Sequence, residues 1–354
     1  MDRVALFRWL PRLAARVPWV VLGDWPTPLD ALALEGGTVW IKREGDSSAR
    51  YGGNKIRTLE AWLGHARAGG YDRIWAIGAY GSNHAIATVL HARAIGLDAG
   101  AIVFPQPPSE WAIENASALV ESRCPLVRLR TVVEVPFAAF AIARRDRRSI
   151  VMPPGGATPV GTLGALSAVF ELAEQLAAHV APPPRRIVVP IGSTCTSAGL
   201  LAGLALAHAI GAWRWPLPIV HAVRVTPWPV TSRVRTAELA ARTLARIAML
   251  GGPAIGISLR ELVARLVVDP RELGPGYGRS TPRSLEALRA FAIPGAPRLD
   301  GVYSAKATAA LLRLHRRGTG PLLLWSTKST MKLAAASPPA LARAPRQLRA
   351  WLVH

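Results

Sequence analysis

Short apolar runs and longer amphipathic stretches follow one another along this chain, and that alternation limits its fold more than any other feature. Extended segments are predicted at 39–42, 73–78, 99–104, 126–129, 149–152, 187–191, 221–226 and 321–325. Helical patterns are predicted at 59–67, 86–95, 110–122, 135–144, 162–179, from 198 onward, and at 232–250, 258–266, 283–291 and 306–316. Gly69-Gly70, Gly96, Pro105 and Pro182-Pro183-Pro184 separate them. Strands joined through helices pair in parallel, and parallel sheets are covered on both faces. The expected fold class is therefore α/β. The 354 residues, 50% of them hydrophobic, allow one large or two medium domains with a sizeable core.

Within this pattern the stretch Tyr51-Gly52-Gly53-Asn54-Lys55-Ile56-Arg57-Thr58-Leu59-Glu60 joins a strand to a helix. Two glycines permit a tight turn with close backbone approach. Asn54 is placed to cap the helix that follows. A lysine at such a junction can project into a cleft as an amine nucleophile. The alternative is an ordinary strand–helix loop with a solvated lysine. Lysine usage favours the chemical reading: of 43 Lys and Arg residues, only Lys42, Lys55, Lys306, Lys328 and Lys332 are lysine. Arginine cannot replace a lysine in imine chemistry, because its guanidinium stays protonated.

Three further places could carry chemistry. Residues 191–199 read as strand, small-residue loop and helix. The free N–H groups and dipole of a helix start hold a phosphate without a lysine. Ser193, Thr194, Thr196 and Ser197 add hydroxyls, although capping alone explains such residues equally well. Ser82-Asn83-His84 follows the strand at 73–78, where α/β proteins bind ligands, or else simply starts a helix. Tyr277, in Gly274-Pro275-Gly276-Tyr277-Gly278, and Tyr303, just before a helix, are two of only five tyrosines; both could instead be packing residues.

Gly52-Gly53-Asn54-Lys55-Ile56-Arg57-Thr58-Leu59-Glu60 resembles the GGNKxRKLE motif of the 1-aminocyclopropane-1-carboxylate deaminase and D-cysteine desulfhydrase family, pyridoxal-phosphate enzymes of fold type II. Five more family-like stretches follow its order: Trp25-Pro26-Thr27-Pro28-Leu29, Ser82-Asn83-His84, residues 192–199, Gly274–Gly278 with Leu299–Lys306, and 322–329. The resemblance implies a tryptophan synthase β-like fold of two three-layer α/β lobes with the cofactor between them. Residues 1–58 and 166–354 would form the large cofactor-binding lobe and 59–165 the small one. It also implies that Lys55 carries pyridoxal 5'-phosphate and acts as base on the substrate's α-proton, helped by Ser82, with Tyr277 and Tyr303 lining the pocket. Asn83 would face the cofactor's ring oxygen. Gly192, Ser193, Thr194, Cys195 and Thr196 would hold the phosphate, with Asn54 beside the lysine, and Ser304 and Thr327 are both candidates for the pyridine nitrogen. Ser82, Asn83, His84 and Lys328 would meet the substrate.

The expected reaction is D-cysteine desulfhydrase-like β-elimination of a small amino acid to a 2-oxo acid and ammonia. His84 and Ser304 stand where the deaminase branch has Gln and Glu. Cyclopropane ring opening and a cofactor-binding homologue with altered or lost catalysis are the alternatives, because Gly81, Cys195, Lys328 and Ser329 depart from the pocket motifs. Lys328 replaces a glycine. Pointing inward, it calls for a substrate with a second acidic group; the other reading is that it reaches solvent.

A formal net charge of +21 raises nucleic-acid binding. The arginines are spread along the whole chain, however, and their densest cluster, Arg144 to Arg148, lacks interleaved aromatics; no nucleic acid is expected. Cys124 and Cys195 make no disulfide framework, which fits a reducing cytoplasm. The longest apolar segment, 198–213, is interrupted by His208 and too short to span a bilayer. No metal site is expected, and the resemblance implies a homodimer.

Overall fold

The structure, a computed structural model, describes residues 2–353. Ten strands form two sheets. They are β1 (Leu29–Leu34), β2 (Gly37–Arg43), β3 (Arg73–Ala79), β4 (Asp98–Phe104), β5 (Leu126–Arg128), β6 (Ser149–Met152), β7 (Arg186–Ile191), β8 (Ile219–Arg224), β9 (Leu266–Asp269) and β10 (Leu322–Ser326). The larger sheet runs β1-β2-β10-β7-β8-β9 and the smaller β5-β4-β3-β6. Every pairing is parallel except β1 with β2, where Leu29 lies opposite Lys42.

The two-residue period of a strand sends successive side chains to opposite faces. In β7, Ile187, Val189 and Ile191 join one core with the helices Leu163–Ala177 and Cys195–Ala209, through Leu166, Phe170, Leu200 and Leu204. Val188 points the other way, to Ile41, Leu311 and Leu314, the last two on the helix Ser304–His315. In β3, Ile74 and Ala76 pack beneath Ile56, Leu59 and Leu63 of the helix Lys55–Ala68, and Trp75 and Ile77 face Ile102 and Leu129. Both sheets are thus covered on both faces, as an α/β chain requires.

Residues 29–34, for which no element is expected from sequence, form an edge strand on the ladder that β2 supplies. Two local expectations are corrected. The helix expected at 258–266 stops at Ala264, and Leu266-Val267-Val268-Asp269 pairs with β8, its β-branched pair suiting a strand. The residues after 333, expected with the large lobe, pack on the small one: Ala340 and Leu348 enter the core under β3 and β4, and Trp351 Nε1 donates to the Gln106 carbonyl at 2.7 Å.

A buried ionic cluster ties β2 to two helices. Arg57 donates to Glu44 at 2.6 Å and to Glu171 at 2.9 Å, and Lys42 also pairs with Glu171. Each charge has an opposite partner, without which burial would be prohibitive. Arg57 and Lys42 lie in or beside the motif around Lys55, yet they serve the scaffold.

Candidate functional site

A cavity of about 460 Å³ opens at the carboxyl ends of β3, β4 and β7, at Gly78, Ala79, Phe104 and Ile191, and just beyond β10 at Thr327. Ligands of α/β sheets gather at such strand ends. Among the residues singled out from sequence, Asn54, Lys55, Ser82, Asn83, His84, Gly192, Ser193, Thr194, Cys195, Thr196, Tyr277, Tyr303 and Thr327 line it. Ser304 and Lys328 do not.

Lys55 is the first residue of its helix. The preceding glycines are required by contact: a Cβ on Gly53, whose φ is +105°, would stand 2.8 Å from the Thr327 carbonyl oxygen, and one on Gly52 would strike the Gly45 carbonyl. Asn54 does not cap this helix as expected. Its backbone is helical and its Nδ2 donates to Thr196 Oγ1 at 2.8 Å, joining the lysine turn to the 192–197 loop. The Lys55 amine makes no hydrogen bond among the described residues, and a Cβ on Gly155 would approach it to 3.5 Å. Burial pulls the amine's pKa below its ordinary value, with Cys195 acting the other way. A larger neutral fraction makes the amine a better nucleophile and base.

Beside the lysine turn, the loop 192–194 feeds the 15-residue helix Cys195–Ala209. Thr194 is left-handed, with φ +71°, a conformation uncommon for a β-branched residue. The chain therefore keeps the turn although Thr194 and Cys195 replace glycines of the motif. The Cys195 thiol is turned aside, 3.5 Å from the Gly156 carbonyl oxygen and 3.7 Å from Thr58 Oγ1. The Ser197 hydroxyl is buried without a partner. Unpaired helix-start amides and a free hydroxyl, with no carboxylate lining the cavity, form a donor set suited to a phosphate.

Ser82 caps the helix Asn83–Ala94, accepting from the Ala85 N–H at 3.2 Å, and its hydroxyl hydrogen remains available. His84 is 3% exposed and both its ring nitrogens lack partners. Burial, then the nearby Lys55, push its pKa well down, so the ring is neutral. Tyr277 and Tyr303 share a hydrogen bond at 2.7 Å. Burial raises both phenols and keeps them protonated. Asp300 fixes the backbone of Tyr303, accepting its N–H at 2.7 Å, and the Lys306 ammonium donates to the Leu273 carbonyl at 2.8 Å, anchoring the loop that presents Tyr277.

Two assignments are corrected. The Ser304 hydroxyl lies 2.9 Å from Asp300 Oδ2 and accepts the Asp300 N–H at 2.6 Å, which takes it out of the cavity and leaves Thr327 as the hydroxyl at that wall. Lys328 is buried at 1% exposure but sits behind Asn83 rather than at the cavity surface. Neither Lys328 nor any arginine lines the cavity, so it offers no cationic side chain besides Lys55 for a second acidic group on a substrate. Asn115, which holds Asn83 from behind, was missed by sequence reasoning; an asparagine inside an apolar helix is its only signal.

The lining fits pyridoxal phosphate: Lys55 would attach it, the loop 192–197 would hold its phosphate, and Asn83 and Thr327 would face its ring. When bound, that group supplies an electron sink for an amino acid's α-carbon.

Comparison with known proteins agrees. Residues 20–321 match the family model described as pyridoxal-phosphate dependent enzyme. The chain is 35% identical to nocardicin C-9' epimerase of Nocardia uniformis subsp. tsuyamanensis, over 89% of this chain and 93% of that one. It is 28% identical to D-cysteine desulfhydrase of Salmonella paratyphi C, over 91% and 97%. The crystal structure of an ACC deaminase homologue superimposes with a TM-score of 0.73 at 30% identity, covering 92% of this chain and 94% of that one.

Proposed function

The chain belongs to the pyridoxal-phosphate dependent enzymes, and from that premise we propose a D-cysteine desulfhydrase-like lyase acting on a small amino acid with a neutral side chain. The observation that carries this reading is the pairing of one unpartnered amine, Lys55, with walls whose other titratable groups are neutral. The Lys55 amine takes the α-proton. The Ser82 hydroxyl and the amide of Asn83, at the start of their helix, receive the substrate carboxylate. Tyr277 and Tyr303 hold their protons and can give one to a departing β-substituent. The balance is one D-cysteine and one water giving hydrogen sulfide, pyruvate and ammonia.

Epimerisation is the second reading. The proton carriers of the cavity come from separate elements: Lys55, Ser82 and the tyrosine pair. Without a β-leaving group, Lys55 keeps the proton it removes and one of the others gives its own hydroxyl proton to the α-carbon. The likeness to an epimerase gives this reading weight.

The test is a panel of D- and L-amino acids assayed for sulfide, 2-oxo acid and ammonia, with chiral analysis of what remains. We expect equimolar sulfide, pyruvate and ammonia from D-cysteine, and acidic amino acids at least roughly tenfold slower, because their second charge would be buried unpaired. Enantiomer formation without ammonia would replace elimination by epimerisation.

A further inference from the structure

Lys328 stands where the family motif has glycine, and its surroundings define a role. Its ammonium lies 3.3 Å from Asn83 Oδ1 and 3.4 Å from Asn115 Oδ1, and 5.8 Å from the centre of the Tyr51 ring. An ammonium can only donate, so both amide oxygens must face it. The opposite end of the network gives the same polarity. Asn115 Nδ2 donates to the Gly81 carbonyl at 2.9 Å, a group that can only accept, and to Asn83 Oδ1 at 2.9 Å. The Tyr51 hydroxyl is 2.7 Å from Asn83 Oδ1. Three donors thus converge on one carbonyl oxygen. The Asn83 NH₂ group has no protein partner among the described residues, and Asn83 lines the cavity.

We propose that Lys328 is a positioning residue: it locks the Asn83 amide with its NH₂ group turned into the cavity, and its charge strengthens that donor toward an anionic oxygen of the bound cofactor or the substrate. Burial is the largest influence on the Lys328 amine and holds its pKa below the ordinary lysine value; Asp300 and Glu114 favour the ammonium, and Arg298 opposes it. Arg298 is itself paired with Glu114 at 2.6 Å. On the cavity side of Asn83, Lys55 and a neutral His84 are the near titratable groups, and no carboxylate competes for the amide.

The inference rests on the cavity being the cofactor site, not on the reaction proposed above. Its first readout therefore needs no turnover: the pH midpoint of the bound cofactor's visible absorption, measured without substrate. Lys328→Met keeps the side-chain bulk and removes the charge. We expect its midpoint to rise by about one pH unit if the oxygen belongs to the cofactor, the order expected for one charge several ångströms away. If the oxygen is the substrate carboxylate, the midpoint stays and KM rises about tenfold with kcat little changed. Lys328→Arg should restore either value in large part. In an Asn83→Ala background, Lys328→Met should add little, because the effect passes through that amide. Lys328→Gln is read in the same way should the Met variant fail to fold. A folded, neutral variant with midpoint and KM both at wild-type values overturns the proposal, as does a full Lys328→Met effect without Asn83.

Discussion

Thr194 shows how much one residue of the site concedes to geometry. Its left-handed backbone, φ +71° and ψ −20°, aims the amides of the following helix into the cavity. An L-residue there costs about 1–2 kcal/mol, which glycine avoids at some cost in unfolded-chain entropy. We expect Thr194→Gly to stabilise the protein by roughly 0.5–1 kcal/mol in denaturant titration, with cofactor affinity within a few-fold. A loss of stability would contradict the turn described here. Legibility at this scale differed from residue to residue. Lys55 could be read because a lysine in a glycine turn is rare in a chain that uses arginine for charge. Ser304 and Lys328 could not be placed, because a motif position does not reveal which way a side chain turns. Asp300 captures the first and the Asn83–Asn115 pair captures the second.

The elements around the site are fastened by charge as well as by apolar packing. Glu171, on the helix Leu163–Ala177, meets Arg57 from the Lys55 helix and Lys42 from β2. Burial alone would raise its carboxyl, but the two cations outweigh it and hold the pKa at about 2. A carboxyl depressed from an ordinary 4.5 stabilises the fold above that value and loses the contribution as pH falls through about 2. Glu171→Ala, which strands two buried cations, should cost about 3–5 kcal/mol at pH 7. The gap from wild type should narrow as the pH falls from about 4.5 toward about 2. A gap that is small at pH 7, or that widens with acid, would show that the cluster does not carry this weight. Most strands and helices were legible from apolar periodicity. The edge strands β1 and β9 were not, because half-exposed short strands carry little period-two signal.

At the scale of the whole molecule, the alternating order called for helix-covered, mainly parallel sheet; there are two such sheets, and their strand ends form one cavity. The C-terminal segment's return to the small lobe left no mark in the sequence, since an amphipathic helix does not say which surface it covers. The central claim is that this cavity, with pyridoxal phosphate bound and Lys55 as base, removes the α-proton of an amino acid. Elimination and epimerisation both begin with that step. The most direct measurement is therefore α-hydrogen exchange in D₂O, followed by proton NMR, for the holoenzyme and for Lys55→Ala supplied with the same cofactor. We expect loss of the α-proton signal from D-cysteine or another neutral amino acid with the wild-type protein, and a rate lower by at least about a thousandfold in the variant. Exchange that persists in Lys55→Ala at the wild-type rate, or a fully loaded wild-type protein that exchanges no amino acid of the panel, would contradict the claim.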